Sequence, residues 1–138
     1  MRIPDLLVVA IDANCSSFAK ARGAIEQNID DSLRALTVIA CPDPHVERWY
    51  LADPDSFAER VGVRPELGKR KCVRDLYKRK LSEAILGSGQ PAPLGGIEFA
   101  AEIVAGMNLH RAGRSEDSLR HFVQDATALL RRVKVARN

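Results

Sequence analysis

The chain has 138 residues, 46% of them hydrophobic, with 21 Lys and Arg against 18 Asp and Glu for a formal charge of +3. That length and apolar share suit one domain with a buried core and argue against two. The longest apolar run near the start, Leu6 to Ile11, is far shorter than the roughly 20 residues of a membrane span, and no export signal is legible around Met1 to Asp5, so a cytoplasmic protein is expected.

Leu6-Leu7-Val8-Val9-Ala10-Ile11, bounded by Pro4 and Asp12, reads as a strand buried on both faces, the kind found in parallel sheets. Phe18, Ala21, Ile25 and Ile29 then recur at helical spacing, with Ser16 or Ser17 as the N-cap. Leu36 to Cys41 is a second buried strand, stopped by Pro42 and Pro44. The predicted fold class is therefore α/β: a small parallel sheet with a βαβ unit at the N-terminus, residues 1–62, followed by a mostly helical part, residues 63–138, in one domain. Two strands make a meagre sheet, so a further strand or a second chain is expected to complete it.

Beyond the strands, short helices are predicted over Pro44 to Ala52 and from Asp53 or Asp55 to Gly62, then longer ones over Lys71 to Leu86, Gly96 to Met107 and Ser115 to Val133. Trp49, Tyr50, Phe57 and Phe99 are expected to pack helices on the sheet. Three cysteines, Cys15, Cys41 and Cys72, without paired spacing or an export signal, read as free thiols.

Chemistry is expected beyond the carboxyl ends of the strands, where loops diverge in parallel sheets. Asp12 and Asn14 follow the first strand; Asp43, His45 and Glu47 follow the second. Asp12 and Glu47 meet if the strands are neighbours, and converging oxygen donors suit Mg²⁺ or Mn²⁺. The same residue types also serve turns and helix starts, and a glutamate in a first turn is favoured by the helix dipole alone. Lys69, Arg70, Lys71, Arg74, Lys78, Arg79 and Lys80 form a basic cluster in which Arg70, Arg74 and Lys78 share a helical side, a stripe suited to a nucleic-acid backbone or simply a solvated face.

Val9-Ala10-Ile11-Asp12-Ala13-Asn14, and the run from Cys41-Pro42-Asp43-Pro44 through Glu47-Arg48-Trp49-Tyr50-Leu51-Ala52-Asp53, resemble the later part of TOPRIM-like proteins, in particular a bacterial family related to RloB and OLD nucleases. Arg74-Asp75-Leu76-Tyr77-Lys78, Gly95-Gly96-Ile97-Glu98-Phe99-Ala100 and the final helix are similar to that group's helical tail. The resemblance implies a Mg²⁺- or Mn²⁺-dependent phosphodiesterase, a nuclease in a phage-defence or mobile-element setting. In it Asp12 and Glu47 are catalytic, Asp12, Asn14 and Glu47 hold the metal, and Lys69, Arg70, Lys71, Arg74 and Lys78 hold nucleic acid.

Two departures shape the expectation. Asn14 stands where a second aspartate is usual, and the strand that carries the TOPRIM glutamate has no counterpart in this sequence. The chain thus reads as a fragment or subunit completed by a second polypeptide or another copy, or as a catalytically inactive nucleic-acid- or protein-binding module on the same fold.

Overall fold

Two short parallel strands carry the loops of the site in the computed structural model, which describes residues 4–138. Residues 1–3 of the segment read as lacking an export signal lie outside the described residues. Strand β1, Leu7–Ala10, pairs with β2, Thr37–Ala40, in the register Leu7 with Thr37 through Ala10 with Ala40. Helix α1, Phe18–Gln27, and a single turn α2, Asp31–Arg34, connect them, so the expected βαβ unit is present. Ser17 caps α1 by accepting the Lys20 N–H at 3.3 Å, and Asp30 caps α2 by accepting the Ser32 N–H at 2.8 Å, each satisfying a donor that has no partner inside its helix.

The two strands differ in burial, which corrects the reading of β1 as buried on both faces. Val38, Ile39 and Ala40 are buried, whereas Val8 is 48% exposed and Ile11 52%. Successive side chains point to opposite faces of a strand. Val9 and Ile39 share the face that packs with Ile25, Phe18 and Ala21 of α1. On the other face Ala40 is covered by Trp49, Ala112 and Leu119, while Val8 has no comparable cover. Among the described residues the sheet has two strands, so the further strand expected within the chain is not found there. An apolar run shows that a strand tolerates burial; it does not supply the layer that buries it.

The helical part begins with α3, Val46–Tyr50, and α4, Pro54–Val61. Asp53 caps α4, Pro54 fits its first turn, and Gly62 ends it at φ +93°, a conformation that disfavours any side chain with a Cβ. Helix α5, Leu76–Gly87, starts five residues later than the periodicity predicts. Asp75 sits at φ +58°, outside the helical region, and the Lys71 N–H is bonded to the Tyr77 hydroxyl at 2.9 Å rather than to a preceding turn. Val73 is 44% exposed in the resulting loop.

A 3₁₀ turn at Ile97–Phe99 leads into α6, Ala100–Gly106, then α7, Leu109–Ser115, and α8, Asp117–Arg137. Gly96 begins the 3₁₀ turn at φ +91°, where a Cβ would lie 3.0 Å from Ile85 Cγ1 and 3.1 Å from Leu81 Cγ. Backbone conformation and close packing therefore both select glycine. The turn α7 is absent from the sequence reading. Ser115, expected inside the last helix, ends α7 instead, and the extended backbone of Glu116 separates it from α8.

The main core lies among the helices, where Leu51, Phe57, Tyr77, Leu81, Ile85 and Ile103 are almost fully enclosed. Each large side chain buried there contributes about 1.5–3 kcal/mol. Tyr50 and Phe99 border this cluster and Trp49 packs with Ala40, so of the four aromatics expected on the sheet only Trp49 reaches a strand residue. Asp53 fastens the helices together: it accepts Arg111 Nε at 2.7 Å, the Asn108 N–H at 2.9 Å and the Ser56 N–H at 3.5 Å. Burial alone would raise the Asp53 carboxyl, but the Arg111 guanidinium and the two backbone N–H groups outweigh it and hold the carboxyl below the usual aspartate range. Among the described residues no helix is long and apolar enough to cross a membrane.

Candidate acidic cleft at the strand ends

Pairing between the two strands continues past them. Ile11 N–H donates to Ala40 O at 3.0 Å, Ala13 N–H to Pro42 O at 2.8 Å and Asn14 N–H to Pro44 O at 2.9 Å. These bonds hold the loop after β1 against the segment that enters α3. Asp12 lies between two of the paired residues, and its Oδ1 accepts the N–H of Val46, the first residue of α3, at 3.0 Å. A carboxylate at that point meets the positive end of the α3 backbone. Glu47 follows in the first turn of the same helix.

Asp12 and Glu47 thus come to one place, a cleft of about 200 Å³ that they line with His45, Asp75 and Lys78. Three of these residues, Asp12, His45 and Glu47, follow the strands as expected; Asp75 and Lys78 arrive from the start of α5. Burial and then the Glu47 charge raise the Asp12 carboxyl above its ordinary value, against the opposing pull of His45 and the Val46 N–H. Burial, followed by Glu47 and Asp12, likewise raises the nearby Tyr50 hydroxyl. The Glu47 charge therefore disfavours ionisation of Asp12, a field that a cation would relieve.

Hard oxygen donors fit Mg²⁺ or Mn²⁺, and Mg²⁺ commonly uses one or two protein carboxylates and fills its octahedron with water and substrate phosphate. Among the described residues no group of three or more His, Cys, Asp and Glu side chains is placed to enclose a metal. A cation at this cleft would have Asp12 and Glu47 as its carboxylate donors and would take its remaining ligands from outside the protein. Asn14, expected as a third ligand, is exposed at φ +56° and is not among the residues lining the cleft.

The basic residues do not form the expected stripe. Arg70 and Arg74 lie in the loop before α5, and only Lys78 is on the helix. Arg70 Nε donates to Asp43 Oδ1 at 2.7 Å, and its guanidinium also reaches the carbonyl of Ser16 at 3.5 Å, so its charge is engaged within the protein. Lys69, Lys71 and Arg74 are exposed, and Arg74 approaches Asp75 at 3.7 Å. Lys78 alone of the five lines the cleft.

Cys15 and Cys72 form a disulfide with Cα atoms 5.5 Å apart, which corrects the reading of three free thiols; Cys41 is free and buried. The partners are 57 residues apart and meet only because the loop before α5 folds back on the loop after β1. Spacing along the chain carries no sign of that approach.

A second concavity, of about 340 Å³, lies over a buried ion pair that the sequence reading also missed. Arg48 Nε bonds Glu116, and its terminal nitrogens donate to the Tyr77 hydroxyl at 2.8 Å and the Gly68 carbonyl at 3.1 Å. Desolvation outweighs the Arg48 charge and pushes the Glu116 carboxyl up to about 6. Glycine 68 and its neighbours are thereby anchored to the core, which positions the basic loop near the acidic cleft.

In comparisons with known proteins the chain matches no family model, no curated protein and no solved structure.

Proposed function

We propose that this chain is a TOPRIM-like, divalent-metal-dependent nucleic-acid phosphodiesterase, acting as a fragment or subunit of a nuclease. The observation that carries the reading is the meeting of Asp12 and Glu47 in one cleft beyond the carboxyl ends of two parallel strands. Asp12 and Glu47 hold Mg²⁺ or Mn²⁺, and Lys78 presents an ammonium to a phosphodiester oxygen at the same cleft. When bound, the cation supplies charge neutralisation at the phosphodiester and acidifies water for in-line attack. Asp12 is fixed by the Val46 N–H, so its carboxylate is oriented before substrate arrives. Lys69, Lys71 and Arg74 add sequence-independent attraction for the backbone from the exposed loop.

The test is cleavage of end-labelled single- and double-stranded DNA and RNA by the purified chain with Mn²⁺, repeated with Glu47→Gln and Asp12→Ala. Cleavage that both changes abolish is expected. Cleavage that survives both would remove Asp12 and Glu47 from the chemistry.

A second reading, an inactive binding module on the same scaffold, is favoured by the placement of Asn14 outside the cleft lining. It predicts binding without cleavage, indifferent to Glu47→Gln and steeply weakened by salt.

A further inference from the structure

The Cys15–Cys72 disulfide joins the two loops that flank the acidic cleft. Cys15 lies three residues after Asp12, and Cys72 lies three residues before Asp75; both cysteines are exposed. The loop on the Cys72 side is fastened unevenly. Up to Lys71 it is tied to the core by bonds from Arg48 to the Gly68 carbonyl at 3.1 Å and from the Lys71 N–H to the Tyr77 hydroxyl at 2.9 Å. From Val73 to Asp75, among the described residues, no side-chain hydrogen bond reaches another element. The Asp75 side chain makes no capping bond to α5 and Val73 is 44% exposed, so the remaining ties are local: the Leu76 N–H donates to the Val73 carbonyl at 3.2 Å and the Arg79 N–H to the Asp75 carbonyl at 2.9 Å. Beyond these bonds to the start of α5, the covalent link is the tie that holds the segment to the loop after β1, while Tyr77, one residue beyond Leu76, is fully buried and anchors the helix independently.

We propose that Cys15–Cys72 is a thiol–disulfide exchange site whose reduction releases residues 72–75 and opens the Asp75 side of the cleft. The reductant is a small dithiol. One of its thiolates bonds to a protein sulfur and breaks the Cys15–Cys72 bond, and the expelled cysteine thiolate takes up a proton. The second thiol of the reductant then attacks the mixed disulfide, frees the other cysteine as a thiol and closes a cyclic disulfide. Two electrons pass from the dithiol to the protein, and the oxidised dithiol reverses the exchange. Exposure of both cysteine residues gives the attacking thiolate access, and the buried Cys41 takes no part. The inference rests on the geometry of the cleft and not on the reaction assigned to it.

The experiment uses the full chain, oxidised and then treated with dithiothreitol, with alkylation of free thiols read by mass spectrometry and amide hydrogen exchange read by segment. In the oxidised native protein neither Cys15 nor Cys72 is alkylated; after reduction both are, while Cys41 stays protected until the chain is denatured. Exchange at the Leu76 and Arg79 amides, whose acceptors are the Val73 and Asp75 carbonyls, rises at least about tenfold on reduction, and exchange at 37–41 is unchanged, the signature of a local opening. A Cys15→Ser, Cys72→Ser double variant shows the fast pattern with or without reductant. Alkylation of Cys15 and Cys72 in the oxidised chain, exchange at Leu76 and Arg79 that ignores reduction, or acceleration throughout the molecule would each overturn the proposal. None of these readouts involves cleavage, so an inactive cleft leaves the inference standing and a failed opening leaves the phosphodiesterase reading untouched.

Discussion

Asp12 Oδ1 accepts the N–H of Val46 at 3.0 Å, so the carboxylate that lines the cleft also secures the helix on which Glu47 is carried. The two acidic residues differ in consequence. Asp12→Ala removes a backbone partner as well as a charge and is expected to destabilise the fold by about 1 kcal/mol, the usual scale for a lost helix cap. Glu47→Gln removes only a charge from the cleft and is expected to leave the denaturation midpoint unchanged or slightly raised, since it relieves the repulsion felt by Asp12. Urea unfolding of the two variants beside the parent checks the difference; equal losses would show that Asp12 does not support α3.

The raised Asp12 carboxyl sets the pH response of the cleft. Its folded value lies above the unfolded 3.8, so its contribution to stability is present below 3.8 and lost as pH rises through the folded value. A divalent cation bound as proposed would reverse that loss by taking the ionised form. Mg²⁺ is therefore expected to raise the thermal midpoint at pH 7 and to do so progressively less toward pH 4, with proton release on binding near the Asp12 titration. Thermal melts with Mg²⁺ across that range are the check, and a pH-independent shift would count against Asp12 as a ligand.

Glu116 titrates higher, at about 6 against 4.5 when unfolded, and the sign is the same: stability is greatest below 4.5 and declines as pH rises through 6. A displacement of that size corresponds to about 2 kcal/mol. Glu116→Gln, neutral at every pH, is expected to match the parent below pH 4.5, to be the more stable above pH 6 by about the same 2 kcal/mol, and to lose this slope between pH 4.5 and 6. Comparing the unfolding free energies of parent and variant across the window isolates the residue; parallel curves would contradict the assignment.

Asp53 is the tie whose loss should cost most. Asp53→Ala frees the Asn108 and Ser56 N–H groups and the Arg111 guanidinium at once, where helices α4 and α7 begin. A loss of about 2–4 kcal/mol is expected from the unpaired groups. Asp53→Asn, which keeps an acceptor, should recover part of it. A loss below about 0.5 kcal/mol by chemical denaturation would show that these bonds are replaced by water.

What the sequence made legible follows from the range of each interaction. Branched apolar runs located both strands, and local capping residues located the starts of α1 and α4 to within a pair of candidates, Ser16 or Ser17 and Asp53 or Asp55, of which Ser17 and Asp53 are the caps. Asp12 and Glu47 could be paired on paper because adjacent parallel strands bring their carboxyl ends together. The start of α5 was misplaced because its limit is set by distant partners: the hydroxyl of Tyr77 takes the Lys71 N–H, and Cys72 bonds Cys15. Asp75 in the cleft and Glu116 beside Arg48 were missed for the same reason, since neither position is distinguished by its neighbours in sequence. Exposure of Val8 was missed because an apolar strand does not encode what covers it.

The most direct test of the account is a titration of the purified chain with Mn²⁺ followed by electron paramagnetic resonance of the free ion, for the parent, Asp12→Asn and Glu47→Gln. The account predicts one saturable site in the parent, weakened at least about tenfold by either change, because each removes one of the two charges that hold the ion. Saturable binding that both variants retain, or no binding in the parent at millimolar Mn²⁺, would contradict it.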